Sequence, residues 1–301
     1  MILIEGELPN GAVASEITGP AGSPSVCRLT KPMRWLLYAA ASLVFLAGVQ
    51  LFILTEQTDV YFAWTIVQPF TAAFLGAAYW AAVPVEVIAA RQVFWARARA
   101  AIPGIWLFTT LTLVATLIHF DRFHFSRPDL ISRGAAWLWL GIYIVVPVAM
   151  LLVVFLQLRS PGGDPDRVKT LPVWLRIAFV AIGGGMMAIG VVLFATPAAI
   201  IPVWPWALTP LTARAIGAWF LGIGLAAFFA YRENDFVRIR PLGGGYTFFS
   251  LLQLVAIARY PGEFGWSNPA AWIYLALLIA LLPIGLYVWF GFREKRESLP
   301  S

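Results

Sequence analysis

The sequence predicts an all-α integral membrane protein with eight transmembrane helices, built as two tandem four-helix units. Of its 301 residues, 60% are hydrophobic and 12% are charged. A soluble globule of this length could not bury so many apolar side chains, because about a quarter of its surface stays exposed. Long apolar stretches recur along the chain, and its second part repeats its first. Soluble domains, disordered chains and secreted disulfide scaffolds are therefore excluded.

Eight apolar stretches approach the roughly 20 residues that a membrane-spanning helix requires. Tryptophans lie near many of their ends, which is typical of the interfacial aromatic belts of membrane proteins. The seventh stretch is the shortest. The predicted spans are residues 35–55, 64–89, 101–119, 134–157, 173–195, 210–231, 244–259 and 270–292.

The distribution of basic residues predicts the orientation of these helices. With eight alternating spans, 16 of the 21 Lys and Arg residues fall on one side. Because cytoplasmic loops are enriched in Lys and Arg, this side and both termini are predicted to be cytoplasmic. The chain has 18 Arg and only 3 Lys, a bias typical of GC-rich bacterial genomes, so we expect the membrane to be a bacterial cytoplasmic membrane. We expect residues 1–32 to be a mobile tail, because the segment is rich in Gly, Pro, Ser and Ala. Acidic residues precede any long apolar run there, which excludes a signal peptide.

An internal duplication organises the chain. When the sequence is shifted by 141 residues, positions 68–128 align with 209–269 without a gap and 18 of 61 pairs are identical. Each unit has an even number of spans, so the units share one orientation and are predicted to be related by a pseudo-twofold axis along the membrane normal. The predicted segments are the tail 1–32, the first unit 33–158, a linker 159–171, the second unit 172–292 and a tail 293–301.

The duplication separates features that both units keep from features that only one unit has. Both keep an Arg-x5-Arg-x-Arg loop on the predicted cytoplasmic side. These arginines orient the chain and are also able to contact the phosphates of anionic lipids. They are Arg91, Arg97 and Arg99 in the first unit and Arg232, Arg238 and Arg240 in the second.

Three ionisable residues within predicted spans occur in one unit only. Glu86 aligns with an alanine, Arg214 aligns with another alanine, and Arg259 aligns with an isoleucine. An ionisable side chain inside a bilayer is by default a functional hypothesis, because it is costly to bury. None of the three is central, so the side chains could instead reach the membrane surface.

His119, Asp121 and His124 lie together in the first outer loop and carry the chemical groups of a metal site. Their spacing matches no standard ligand pattern, so the simpler interpretation is an exposed loop, with proton transfer as plausible as metal binding. We therefore expect no metal and no cofactor. The single cysteine, Cys27, excludes an intramolecular disulfide and a CxxC redox pair.

Three functional hypotheses follow from these features. The first is a protein that binds or moves an apolar or amphipathic, lipid-like molecule between the two units. The second is an accessory subunit that packs against a membrane protein partner. The third is a membrane-embedded enzyme that uses His119, Asp121 and His124; we consider an enzyme the less favoured class, and we expect no nucleic-acid partner. The ligand-binding candidates are Arg214, Arg259, Gln253, Thr112, Trp266 and Phe125.

Overall fold

The computed structural model describes residues 25–291, and every regular element within that range is a helix. Eight helices are long and apolar enough to cross a membrane, which confirms the predicted all-α membrane architecture. Most of the two predicted tails, residues 1–24 and 292–301, lies outside the described residues. The eight helices are α1 (Lys31–Ile53), α2 (Pro69–Ala90), α3 (Arg99–Ile118), α4 (Leu130–Leu158), α5 (Val173–Ala195), α6 (Pro210–Glu233), α7 (Phe236–Arg259) and α8 (Pro269–Phe290).

Loops are hydrogen bonded to each other at both ends of the bundle, and we call these two ends its faces. On the face where α1 begins, which we call the basic face, the Cys27 N–H donates to the Gly163 carbonyl (2.9 Å) in the α4–α5 linker. On the opposite face, the hydroxyls of Thr55 and Tyr260 are hydrogen bonded (2.5 Å), and the Phe70 N–H donates to the Glu263 carboxylate (3.0 Å). At both faces, hydrogen bonds therefore connect segments that are distant in sequence.

Burial divides the helices into a central and a peripheral set. In α2, α6 and α7, 67% of the most apolar stretch is buried, against 22–33% in α1, α4, α5 and α8; α3, at 44%, is intermediate and is grouped here with the central helices. The peripheral helices expose large side chains such as Leu138 and Ile144 on α4, as expected for surfaces in contact with lipid. The central helices are consequently the ones whose residues can form an internal site.

The central helices approach closely at small residues. A Cβ atom added at Gly222 of α6 would lie 2.8 Å from the Gly104 carbonyl oxygen of α3, and one added at Gly104 would lie 2.4 Å from the Gly222 oxygen. Only glycine fits such a crossing without moving the backbone. In addition, α2 packs on α7, α1 packs on α2, and α5 packs on α6.

Helix α7 begins earlier than the apolar pattern predicts, at Phe236 instead of residue 244. Its N-terminus is capped by Asp235, whose Oδ1 accepts from the backbone N–H groups of Val237 (2.8 Å) and Arg238 (3.1 Å). A hydropathy pattern misses this start because the first turns carry Arg238 and Arg240. The cap supplies the acceptors that the first turn needs.

The chain is already hydrogen bonded before α1. The Leu29 N–H donates to the Val93 carbonyl (2.8 Å), and the Thr30 N–H donates to Gln157 Oε1 (2.8 Å). The same Gln157 side chain donates to the Arg28 carbonyl (2.9 Å). Residues 25–30, which fall within the predicted mobile tail, are thus held against the α2–α3 loop and the end of α4.

Candidate functional site

A cavity of about 340 Å³ lies inside the bundle. Residues from all eight long helices line it, together with Phe62 and Ala63 from the α1–α2 connection. Its volume is at the lower end of the roughly 300–1,000 Å³ of pockets that hold drug-sized ligands.

Small side chains on the central helices leave this space open. Ala78, Ala81 and Ala82 face it from α2, while Gly104 and Gly222 face it from the α3–α6 crossing. Because these side chains reach only a short distance into the interior, the backbones pack closely without filling the volume in front of them. Large aromatic rings then form the walls: Phe62, Phe108, Trp139, Trp219 and Phe249.

The cavity opens sideways between α1 and α4. Leu46 of α1 and Leu138 of α4 both line it, yet they are 58% and 63% exposed on the outside of the bundle. Both leucines lie in the half of the bundle that is farther from the basic face, because α1 ends and α4 begins at the face opposite to it. The cavity therefore reaches the outer surface of the bundle at a place bordered by apolar side chains.

Polar groups are few in the lining. Tyr79 of α2 and Tyr143 of α4 are hydrogen bonded through their hydroxyls (2.5 Å) across the cavity wall. Glu86 is 1% exposed, and its Oε2 atom has no hydrogen-bond partner; the hydroxyl of Tyr246 on α7 also has none. Among the lining residues, all within the described range, there is no Lys, Arg or His. The cavity is therefore an apolar space with one carboxyl group and no cation.

Of the residues that the sequence singled out, Glu86 alone lines the cavity. Arg214 donates to His119 Nε2 (2.8 Å) at the opposite face. Arg259 donates to the Phe52 carbonyl and to the Tyr260 hydroxyl, also at that face. These contacts tie loops together, and both guanidinium groups lie outside the cavity lining.

The other predicted ligand-binding residues are likewise absent from the cavity lining. Gln253 is buried and donates to the Phe74 carbonyl (2.9 Å), while Thr112 is buried with no partner for its hydroxyl. Phe125 is buried and stacks on Phe120, with ring centroids 4.2 Å apart. Trp266 is 40% exposed.

In the α3–α4 loop, His119, Asp121 and His124 make different contacts, although Asp121 and His124 border the same surface pocket. His124 is buried, with Nε2 2.9 Å from Thr65 Oγ1 and Nδ1 3.1 Å from the Phe62 carbonyl oxygen. His119 bonds to Arg214, whereas Asp121 is exposed beside Arg122. In the described residues, no cluster of three or more His, Cys, Asp or Glu side chains could hold a metal ion.

Both histidines are shifted towards the neutral form. The pKa of His119 is lowered mainly by burial and secondly by the positive charge of Arg214. The pKa of His124 is lowered mainly by burial and secondly by the positive charge of Arg127. Neutral imidazoles suit the hydrogen bonds that these rings make.

On the basic face, two of the six loop arginines join an ion-pair network. Arg99 contacts Glu233 (2.6 Å) and Asp164 (2.5 Å), and Arg238 contacts the same carboxylates at 3.0 Å and 3.3 Å. Burial opposes ionisation of Asp164, but the two guanidinium groups outweigh it and hold the pKa of this carboxyl below its usual range. The network links the α3 start, the α6 end, the α7 start and the α4–α5 linker.

The other four loop arginines remain closer to the surface. Arg97 lies over the Phe94 ring and Arg232 over the Phe229 ring. Arg91 is exposed, and Arg240 is half-buried. Their prediction as contacts for lipid phosphate stays a prediction.

Sequence reasoning found Glu86 but missed the two tyrosines. Glu86 drew attention because its aligned residue is Ala227; Tyr79 aligns with Phe220 by the same shift. The same criterion, applied to hydroxyl groups as well as charges, would have identified Tyr79.

Comparison of the chain with protein-family models, curated proteins and solved structures finds no match.

Proposed function

We propose that this multi-pass membrane protein binds an apolar or amphipathic, lipid-like molecule that enters its cavity from the bilayer. The observation that carries the proposal is the cavity itself, about 340 Å³ in volume and opening between Leu46 and Leu138. An apolar molecule already dissolved in the membrane gains packing contacts there without crossing water.

We also infer that the cavity lies between two duplicated units. Gly104 packs on Gly222, and the residues aligned with them, Gly245 and Ala81, approach each other as well: a Cβ at Gly245 would lie 3.4 Å from the Ala81 oxygen. The reciprocal pairs α3–α6 and α2–α7 are what a pseudo-twofold axis would produce. The basic face, on this proposal, is cytoplasmic, as the bias in arginine predicts.

Native mass spectrometry of the protein purified in mild detergent tests the binding proposal. We expect one bound small molecule per chain, which lipid analysis would then identify. The test variant is Ala82→Trp, which places an indole in the cavity from a half-buried position of its lining. The control is Ala188→Trp, the same change on an exposed position of α5.

Ala82→Trp should lose the bound molecule, whereas Ala188→Trp should keep it. The unfolding temperature of each variant, measured in the same detergent, shows whether the bundle is intact. A wild-type protein without any bound molecule would contradict the proposal. Equal occupancy of a folded Ala82→Trp variant would contradict it too.

A further inference from the structure

We propose that the bound molecule carries a non-anionic head group that donates a hydrogen bond to Glu86 Oε2, on a single apolar chain. This inference rests on the proposed function and specifies its ligand. Glu86 lies four residues before the end of α2, about 6 Å along the axis from the basic face. The opening at Leu46 lies towards the opposite face, so the molecule would enter head first with its chain trailing to the bilayer.

The unpartnered carboxyl oxygen indicates the polarity of the head group. Glu86 is fully buried, and a buried polar atom without a hydrogen bond is strongly unfavourable. The nearby hydroxyls of Tyr79 and Tyr143 are already hydrogen bonded to each other. A donor from outside the protein, such as a hydroxyl or an ammonium group, is the complement that this oxygen lacks.

The charge of the lining argues against an anionic lipid. A phosphate or carboxylate head group in the cavity would face Glu86 and would find no Lys, Arg or His among the lining residues. Arg214 and Arg259, the expected partners of an anion, are bound to His119 and to the Phe52 carbonyl instead. The hydroxyl of Tyr246, which also has no partner, is a second group of the lining that is able to bond a polar head.

The volume limits the apolar part. A cavity of about 340 Å³ is at the small end for drug-sized ligands, about 300–1,000 Å³, and cannot enclose a lipid with two chains. A single chain fits, with its end leaving between Leu46 and Leu138. The ligand class is therefore a long-chain alcohol or a long-chain amine, which share the donor chemistry.

Four probes separate the contribution of the head group to binding from that of the chain. They share one saturated chain and differ in the head group: tetradecanol, tetradecylamine, tetradecanoic acid and methyl tetradecanoate. Binding to the detergent-purified full-length protein is followed by native mass spectrometry and by competition with the molecule that co-purifies. We expect the alcohol or the amine to bind about tenfold more tightly than both the acid and the ester, as one additional hydrogen bond would give.

Two substitutions assign the preference to Glu86. Glu86→Leu should bring the alcohol and the amine to the affinity of the ester, while ester binding persists. Glu86→Gln keeps an acceptor but has no carboxyl group that could form an ion pair with an ammonium group, so it should retain a preference for the alcohol and lose one for the amine. The unfolding temperature of each variant is measured alongside.

The outcomes separate this inference from the proposed function. If no probe binds, or if Ala82→Trp binds every probe as the wild type does, the cavity does not bind lipid-like molecules and both proposals fail. If the probes bind equally, or if the acid binds best, the cavity binds lipid-like molecules but the assigned head group is wrong. Unchanged selectivity in a folded Glu86→Leu variant would also overturn the role of Glu86.

Discussion

Aligned positions in the two halves of the chain have opposite characters. In the first half, three polar residues line the cavity; in the second half, the aligned residues are apolar and fully packed. Glu86 aligns with Ala227, which is 0% exposed and lies outside the cavity lining. The other pairs are Tyr79 with Phe220 and Tyr143 with Leu278, the last after a six-residue gap.

The difference lies in how the helices of the two halves pack. In the second half, α5 and α6 meet at glycines: a Cβ at Gly190 would lie 3.1 Å from the Gly217 oxygen, and one at Gly183 would lie 3.1 Å from Ala227 Cβ. Such packing leaves no room for a ligand. The first half contributes Tyr79, Glu86 and Tyr143 to the cavity lining, whereas the residues aligned with them do not reach it.

Exchanging the residues at the aligned pair should have the largest effect. We expect Ala227→Glu to destabilise the fold by about 3–5 kcal/mol, because it buries a carboxyl group without a partner in a packed region. Glu86→Ala should change stability by less than about 1 kcal/mol, because it removes a polar atom that already lacks a partner. Thermal unfolding in detergent measures both, and equal losses would mean that the two interiors do not differ.

The two central crossings should also differ. At Gly104, a Cβ would lie 2.4 Å from a backbone oxygen, whereas at Gly245 the nearest obstacle is a methyl group of the Val85 side chain at 2.5 Å. Gly104→Ala should therefore cost about 1–3 kcal/mol, and Gly245→Ala less, because a side chain adapts more readily than a backbone. Gly141→Ala, which meets nothing within 4 Å, is the control. A larger loss at Gly245 would show that the α2–α7 crossing is the tighter one.

The sequence predicted the eight helices because long apolar runs have few alternatives in a membrane. It did not predict the start of α7, since Arg238 and Arg240 look like loop residues until Glu233, Asp164 and the Asp235 cap are brought beside them. The site was predicted in part. Glu86 stood out as a charge, but the cavity arises from small side chains whose separation depends on how the helices pack.

Removing the tyrosine pair should have a smaller effect and should make the first half resemble the second. Tyr79→Phe or Tyr143→Phe alone leaves a buried hydroxyl without its partner, and we expect a loss of about 1–2 kcal/mol for each. The double variant should lose less than the sum of the two. A double-mutant cycle on unfolding free energies measures the coupling, and strict additivity would contradict a hydrogen bond between these hydroxyls.

The smallest effect that we predict is a dependence of stability on pH, and it belongs to the first half only. His124 aligns with Gly265 in the second half. In the folded protein, the pKa of His124 is lowered mainly by burial and secondly by the charge of Arg127. Below the unfolded pKa of about 6.5, the unfolded chain binds more protons than the folded chain. The contribution of His124 is therefore fully present above that pH and is lost as the pH falls towards the folded pKa.

We expect a modest decrease in the unfolding temperature between neutral and mildly acidic pH, with a smaller decrease in His124→Gln. The amide of glutamine can still bond to Thr65 or to the Phe62 carbonyl but does not titrate. His119 is also shifted towards the neutral form, so His119→Gln tests its share separately. If the double variant retained the full pH dependence, the titrating groups would lie outside this loop, and the Asp164 network on the basic face would be the next region to test.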